Sequence, residues 1–141
     1  MCLFCEVVER KVPAEIVYED ETSLAFLDHR PLFVGHTLLI PKEHHETLTD
    51  LPPHLIEPLF ATAQSVADGV QSAFDAQGTF VAMNNTVSQS VPHLHIHVVP
   101  RRRKDGLRGF FWPRTKYKSS DEMAETGARL RAVLERAGEP G

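Results

Sequence analysis

The 141-residue chain has no apolar run long enough to span a bilayer and no charged-then-apolar leader at its N-terminus. A soluble protein of the cytoplasm, with no membrane partner, is therefore expected. Positive charge is not in excess: 15 Lys and Arg stand against 19 Asp and Glu, a formal net charge of −4. That balance argues against a general nucleic-acid binder, and no nucleic-acid partner is expected. Cysteine is scarce, with two residues, both in the tetrad Cys2-Leu3-Phe4-Cys5. In a reducing compartment this spacing suggests half of a zinc site more than a disulfide, with two ordinary thiols near a frayed terminus as the plain alternative. Repeats, low-complexity tracts and dividing linkers are missing too, so the length fits one compact domain.

What is present is material for a core: 42% of the residues are apolar. Residues 15–19, 23–27 and 37–40 read as three short strands, parted by the Asp20-Glu21-Thr22 turn and a loop containing Gly35. Leu55, Leu59, Val66, Val70 and Phe74 recur at helical spacing behind an entry marked by Asp50, Pro52 and Pro53. Pro58 either separates a first turn or marks where the regular helix starts, and Gly78 ends the helix. Residues 79–84 form a fourth strand and the segment His93-Leu94-His95-Ile96-His97 a fifth. Ser119 with Glu122 resembles a capping box opening an amphipathic helix that carries Met123, Leu130, Val133, Leu134 and Ala137. Short strands around one long helix predict an α+β domain with a mainly antiparallel five-stranded sheet and a C-terminal helix. Residues 1–102 are expected to form its core. Residues 103–141 are read as a basic, aromatic segment and helix packed on the same domain, with Phe110, Phe111 and Trp112 in packing roles.

Alternation along a strand puts His93, His95 and His97 on one face and Leu94, Ile96 and Val98 on the other. One such histidine would be read as a half-buried polar residue. Three in strict alternation point further, because adjacent imidazoles repel as they protonate. A metal centre is one candidate, yet no Asp or Glu lies in the motif or its immediate flanks. Phosphate chemistry is the other, with an imidazole as nucleophile and its neighbours stabilising charge. The polar loop from Asn84 to Ser90 feeds directly into this segment and could supply donors. The basic cluster from Arg101 to Lys104 suits a small anionic ligand better than a long polyanion.

The run His93-Leu94-His95-Ile96-His97-Val98-Val99, preceded by Gln89-Ser90-Val91, resembles the histidine triad (HIT) family of nucleotide hydrolases and transferases. The likeness extends over residues 2–102. It includes Cys2-Leu3-Phe4-Cys5, the run from Val12 to Asp20, Ala25-Phe26-Leu27-Asp28, and the run from Gly35 to His44.

The resemblance implies a homodimer whose two sheets join edge to edge, with a nucleotide on each half. It implies that His95 attacks the α-phosphorus of a purine nucleoside phosphoramidate or dinucleoside polyphosphate, forming a covalent nucleotidyl-imidazole. His97 would hold phosphate oxygens, and Gln89 and Ser90 would contact phosphate or leaving group. Asn84 matches the family's asparagine, and Asp28 the acid that binds ribose hydroxyls. Phe4, Val7, Phe26 and His29 fall where the family lines its base pocket. It further implies a structural zinc on Cys2, Cys5, His44 and His93, with His45 as a rival ligand and no catalytic metal required. His36 also matches a family position, with no role beyond structure. Ser88 stands where the family often has glycine, and the loop from Asn84 to Gln89 is about two residues short by eye. That loop motivates a second reading, a nucleotide-binding or interaction module with weak chemistry. A metal-dependent hydrolase using the triad as ligands is a third.

Overall fold

The computed structural model describes residues 1–107 and 114–137. The Phe110, Phe111 and Trp112 packing expectation lies outside the described residues. The chain divides into two compact units, residues 1–105 and 106–141.

The first unit contains helix α1 (Leu3–Val8), strands β1 (Ile16–Glu19), β2 (Ser23–Leu27) and β3 (Thr37–Pro41), helix α2 (Pro53–Ala73), and strands β4 (Gly78–Ala82) and β5 (Ile96–Arg101). The strands form one sheet in the order β1-β2-β3-β5-β4, and every neighbouring pair is antiparallel. Together with the helices this makes an α+β fold.

Both faces of the sheet are covered, which is why the run Ser23-Leu24-Ala25-Phe26 is buried without interruption. Ala25, Leu39, Leu94, Ile96 and Val98 pack against Leu55, Leu59, Ala63 and Val70 of α2. On the opposite face, Leu24, Phe26, Leu38 and Ile40 pack against Phe4 and Val7 of α1. The helix α1 is short and covers only part of its face. The uncovered remainder is where a ligand cavity opens.

Helix α2 runs unbroken from Pro53, with Pro58 in its interior. A proline this near the start removes only one early backbone bond, to a carbonyl on an exposed turn, so the helix survives it. The helix ends at Ala73, and Gly78 instead opens β4. The entry is a 3-10 turn at Leu48–Asp50 in which Asp50 and Thr47 form a reciprocal cap.

Gly35 adopts φ +103°, and a Cβ placed there would lie 2.5 Å from the Phe74 ring. Phe74 is packed on the core cluster beneath α2. Gly35→Ala therefore combines backbone strain with a clash that the partly buried Phe74 ring must shift to relieve. We expect it to destabilise the fold by about 2–4 kcal/mol, read as a lowered urea midpoint at unchanged slope.

The second unit contains α3 (Ser120–Ala137). The Ser119 hydroxyl accepts from the Glu122 backbone N–H at 3.1 Å, as the capping box predicts. The Glu122 carboxylate closes on the Lys118 N–H, one residue earlier than a regular box. Among the described residues, no helix is long and apolar enough to cross a membrane.

Candidate functional site

The triad segment is where structure and sequence pattern part company in an instructive way. Strand β5 begins at Ile96, so only His97 of the three histidines lies within it. His93 and His95 precede the ladder; there the Leu94 N–H bonds to the His45 carbonyl at 2.7 Å, in the segment after β3. The alternation of faces persists all the same. Leu94 and Ile96 point to the α2 core, while the rings of His93 and His95 meet Phe4 of α1 at centroid distances of 6.1 and 5.0 Å. The imidazole face is not open to solvent: His93 and His95 are 0% and 3% exposed. Their ring nitrogens must therefore be accounted for one by one.

That accounting assigns the tautomers. A carbonyl can only accept, so His95 Nδ1 must donate to the His93 carbonyl 2.7 Å away. The proton of neutral His95 is thereby held on Nδ1, leaving a lone pair on Nε2. The Leu32 N–H donates to His36 Nδ1 at 3.1 Å, which puts the proton of neutral His36 on Nε2. His36 Nε2 then donates to His97 Nδ1 at 3.0 Å, so His97 carries its proton on Nε2. One ring therefore offers a lone pair and its neighbour, 5.0 Å away between centroids, offers a donor. This is the pairing needed to attack phosphorus and hold the oxygens on it.

His36 thus does more than the structural part expected of it. His36 immediately precedes β3, and Leu38 of that strand pairs in register with His97, a pairing that only the fold fixes.

Burial pushes His97 down to about 4, with the neighbouring His95 and His36 adding to the effect. His36 is also lowered by burial, opposed by Asp28, whose carboxylate lies 3.7 Å away. Both rings are therefore neutral near pH 7, and the relay carries no internal repulsion. The folded state binds fewer protons than the unfolded one below the ordinary value of 6.5. Stability is then complete above about pH 6.5 and drains as pH falls toward about 4, by about 3 kcal/mol for a shift of this size. Thermal melts across that window should show a steadily falling Tm, and His97→Asn should flatten part of the slope.

A cavity of about 430 Å³ opens beside these rings. Eight residues expected at the site line it: Phe4, Val7, Phe26, Asp28, His29, Ser90, His95 and His97. Its apolar wall comes from α1 and β2, and its polar end from Asp28, Ser90 and the two histidines. Such a split suits a ligand with one flat apolar part and one anionic part. Asn84 and Gln89 are not among the lining residues. The Gln89 amide is engaged at both ends, accepting from the Thr86 N–H at 2.8 Å and donating to the Glu46 carbonyl at 2.6 Å. It braces the loop against the segment after β3. Ser88, where glycine would be common, sits at φ 63°, a left-handed conformation that explains the preference for glycine there.

A second constellation lies on the far side of His93. Cys2, Cys5, His44 and His93 bring one ligand atom each to within 4.8 Å of one another. His93 Nε2 donates to the Pro41 carbonyl at 2.8 Å, which frees Nδ1 to face the cluster. His93 Nδ1 lies 3.4 Å from Cys2 Sγ, 3.6 Å from Cys5 Sγ and 3.2 Å from His44 Nδ1. A tetrahedral zinc with ordinary bond lengths requires edges of about 3.3 Å between nitrogens and about 3.5 Å between nitrogen and sulfur. The donor set therefore fits zinc in both chemistry and spacing. His45 turns instead to Glu43, 3.1 Å away, which leaves His44 as the histidine of this cluster. Burial and the adjacent Cys2 push the Cys5 thiol up to about 11, so metal binding here would release protons.

Asp28, His36 and His97 also lie within metal-ligand spacing of one another. The Leu32 N–H argues against a cation there, because it holds the His36 proton on the very nitrogen that would have to coordinate.

The N-terminal helix was not anticipated from sequence. Its spacing places Cys2 and Cys5 at the metal cluster and aims Phe4, between them, at His95.

Comparison with known proteins identifies the family. The HIT domain family model matches residues 9–104. A HIT-like protein of Mycobacterium tuberculosis is 40% identical over 108 residues, covering 75% of this chain and 75% of its own. An adenosine 5'-monophosphoramidase of Saccharomyces cerevisiae is 30% identical over 135 residues, covering 95% and 83%. The crystal structure of a Zn-bound histidine triad family protein from Mycobacterium smegmatis superposes with a TM-score of 0.72 at 36% identity, covering 94% and 96%. With the family model matching residues 9–104 and relatives at 30% identity or more aligned over most of its length, the chain belongs to the HIT family.

Proposed function

We propose that the protein is a nucleotidyl hydrolase or transferase, acting at the α-phosphate of a purine nucleoside phosphoramidate or dinucleoside polyphosphate. The observation that carries this reading is the His95 Nδ1–H bond to the His93 carbonyl, which leaves Nε2 as a lone pair facing the cavity wall. In the proposed first step that lone pair forms a bond to the α-phosphorus and the bond to the leaving group breaks. In the second, water displaces His95 and releases the nucleoside monophosphate, or another acceptor takes up the nucleotidyl group; the attacking group gives its proton to solvent and the ring returns to neutral. His97 donates Nε2–H to the phosphate oxygens, and Ser90 meets the leaving group. Asp28 accepts from the ribose hydroxyls, while Phe4, Val7, Phe26 and His29 hold the base. Asn84 and Gln89 act through the loop that shapes the phosphate end.

We assign the Cys2, Cys5, His44 and His93 cluster to a structural zinc. Four protein ligands complete its shell, so its contribution is to the fold around the site. The assembly we propose is a homodimer joined through β4, an edge strand of the sheet with Val81 47% exposed. Free thiols at the metal cluster suit a reducing compartment, in keeping with the cytoplasm.

A substrate panel tests the activity: adenosine phosphoramidate and a diadenosine polyphosphate, with products separated chromatographically. AMP release from either supports it. Tight AMP binding with no turnover on any member would favour the binding-module reading, for which the braced Gln89 is the motivating feature.

A further inference from the structure

The two cysteines of the chain meet at the first turn of α1. Cys2 caps the helix, and its sulfur leans over that turn to accept the Cys5 backbone N–H at 3.4 Å. The two sulfurs lie within 4.8 Å of each other and of the ligand nitrogens of His44 and His93. A three-residue step at a helix start keeps the Cα atoms about 5–6 Å apart, inside the window that a disulfide needs. Rotation about χ1 is therefore enough to join Cys2 to Cys5, with no change of backbone.

The cluster is unevenly covered, and all four of its residues belong to the unit 1–105. His93 is fully buried, Cys2 and Cys5 are half-buried, and His44 is exposed. A small solute reaches the sulfurs past His44, while the His93 ring stays closed to it. A metal that holds both sulfurs as thiolates keeps them in their nucleophilic form, and the chain has no third cysteine to compete for either.

We propose that Cys2 and Cys5 are a reversible oxidation site for hydrogen peroxide, where closing the disulfide dismantles the zinc cluster and frees α1. The inference rests on the zinc assignment above and is independent of the nucleotidyl-transfer reading. One thiolate sulfur attacks a peroxide oxygen, the O–O bond breaks, and a sulfenic acid forms as hydroxide leaves. The second thiolate then attacks that sulfur, making the S–S bond and expelling a second hydroxide. Each hydroxide takes a proton from solvent. Two electrons pass from the sulfur pair to the peroxide, and the metal keeps its charge throughout. Only His44 and His93 then remain of the four donors, too few to hold zinc tightly. A six-residue helix has little stability of its own, so α1 is left to the packing of Phe4 and Val7. A dithiol reductant supplied with zinc reverses the change.

The test uses the full wild-type chain. Zinc content is measured on the reduced protein first. Graded hydrogen peroxide is then added, zinc release is followed with a colorimetric chelator, and thiols are counted by alkylation and intact mass. About one zinc should be released for each intramolecular disulfide formed. Amide hydrogen exchange at residues 3–8 should quicken by at least about tenfold, with β2 and β3 unchanged. Dithiothreitol with added zinc should restore both readings. Zinc retained, with both thiols open to alkylation at peroxide levels that oxidise a free thiol, would overturn the inference alone. So would zinc loss through sulfinic acid that dithiothreitol does not reverse, or exchange at residues 3–8 that stays slow after zinc has gone. A reduced chain that binds no zinc would overturn the metal assignment and this inference with it.

Discussion

Replacing His95 with Asn should lower kcat by about 10⁴-fold or more while leaving AMP affinity within a few-fold of the wild type. The large loss follows from the role: without Nε2 there is no nucleophile, and the remaining donors can only bind. The small effect on affinity follows from the surroundings. The cavity wall of Phe4, Val7 and Phe26, and the Asp28 carboxylate, do not depend on the His95 ring for their position. Asn can still donate to the His93 carbonyl that His95 now holds at 2.7 Å, so the segment has a local partner after substitution. A deficit shared equally between kcat and binding would instead indicate a collapsed pocket. Single-turnover kinetics with calorimetric AMP binding separates the two outcomes. His97→Asn should also cut kcat, less severely, because it removes one donor to developing charge; about 10²–10³-fold is expected.

Removing zinc, by chelation or by Cys5→Ser, should lower Tm by on the order of 10 °C and raise KM for nucleotide more than it lowers kcat. Two anchors explain the first effect. Cys2 caps α1 and Cys5 lies on it, whereas His44 and His93 belong to the segments after β3 and before β5, so a metal shared by the four would tie α1 to the sheet. Without it the helix retains the packing of Phe4 and Val7 but loses its covalent tether. The KM effect follows because those same two residues form the apolar wall of the cavity. Phe4 also stands edge-on to the His95 ring, 5.0 Å between centroids at 89°. Chelated protein should therefore bind AMP more weakly while still showing a folded sheet by circular dichroism. Restored zinc should recover both Tm and KM. If the metal instead took part in the chemistry, chelation would abolish turnover with little change in Tm.

Much of this was legible in the residues themselves, for physical reasons that differ by region. Strands β2 and β3 read correctly because both faces are buried and their apolar runs are bounded by a turn and by Pro41. The inward and outward sides of the histidine segment also read correctly, since alternation survives outside a ladder. The ladder's start did not, because backbone pairing with His45 is a tertiary choice that no local pattern records. Helix α1 was hidden for a related reason. A six-residue helix has little intrinsic stability, and its hold comes from Phe4 and Val7 in the core. The metal cluster needed three distant segments to converge, so only the Cys-x-x-Cys spacing hinted at it before a family likeness supplied the rest. Tautomers lay wholly beyond reach, because they depend on carbonyls and amides such as Leu32 N–H whose positions only the fold fixes. Gln89 shows the opposite case. Its residue type suggests phosphate contact, yet its amide is spent on bracing the loop.

Stereochemistry at phosphorus examines the covalent role of His95 most directly. A substrate with a chiral thiophosphate at the α position, turned over in ¹⁸O-labelled water, yields a product whose configuration counts the displacements. Two in-line steps through a nucleotidyl-histidine predict net retention. Inversion would mean that water attacks the phosphorus in one step, and that the ring merely assists.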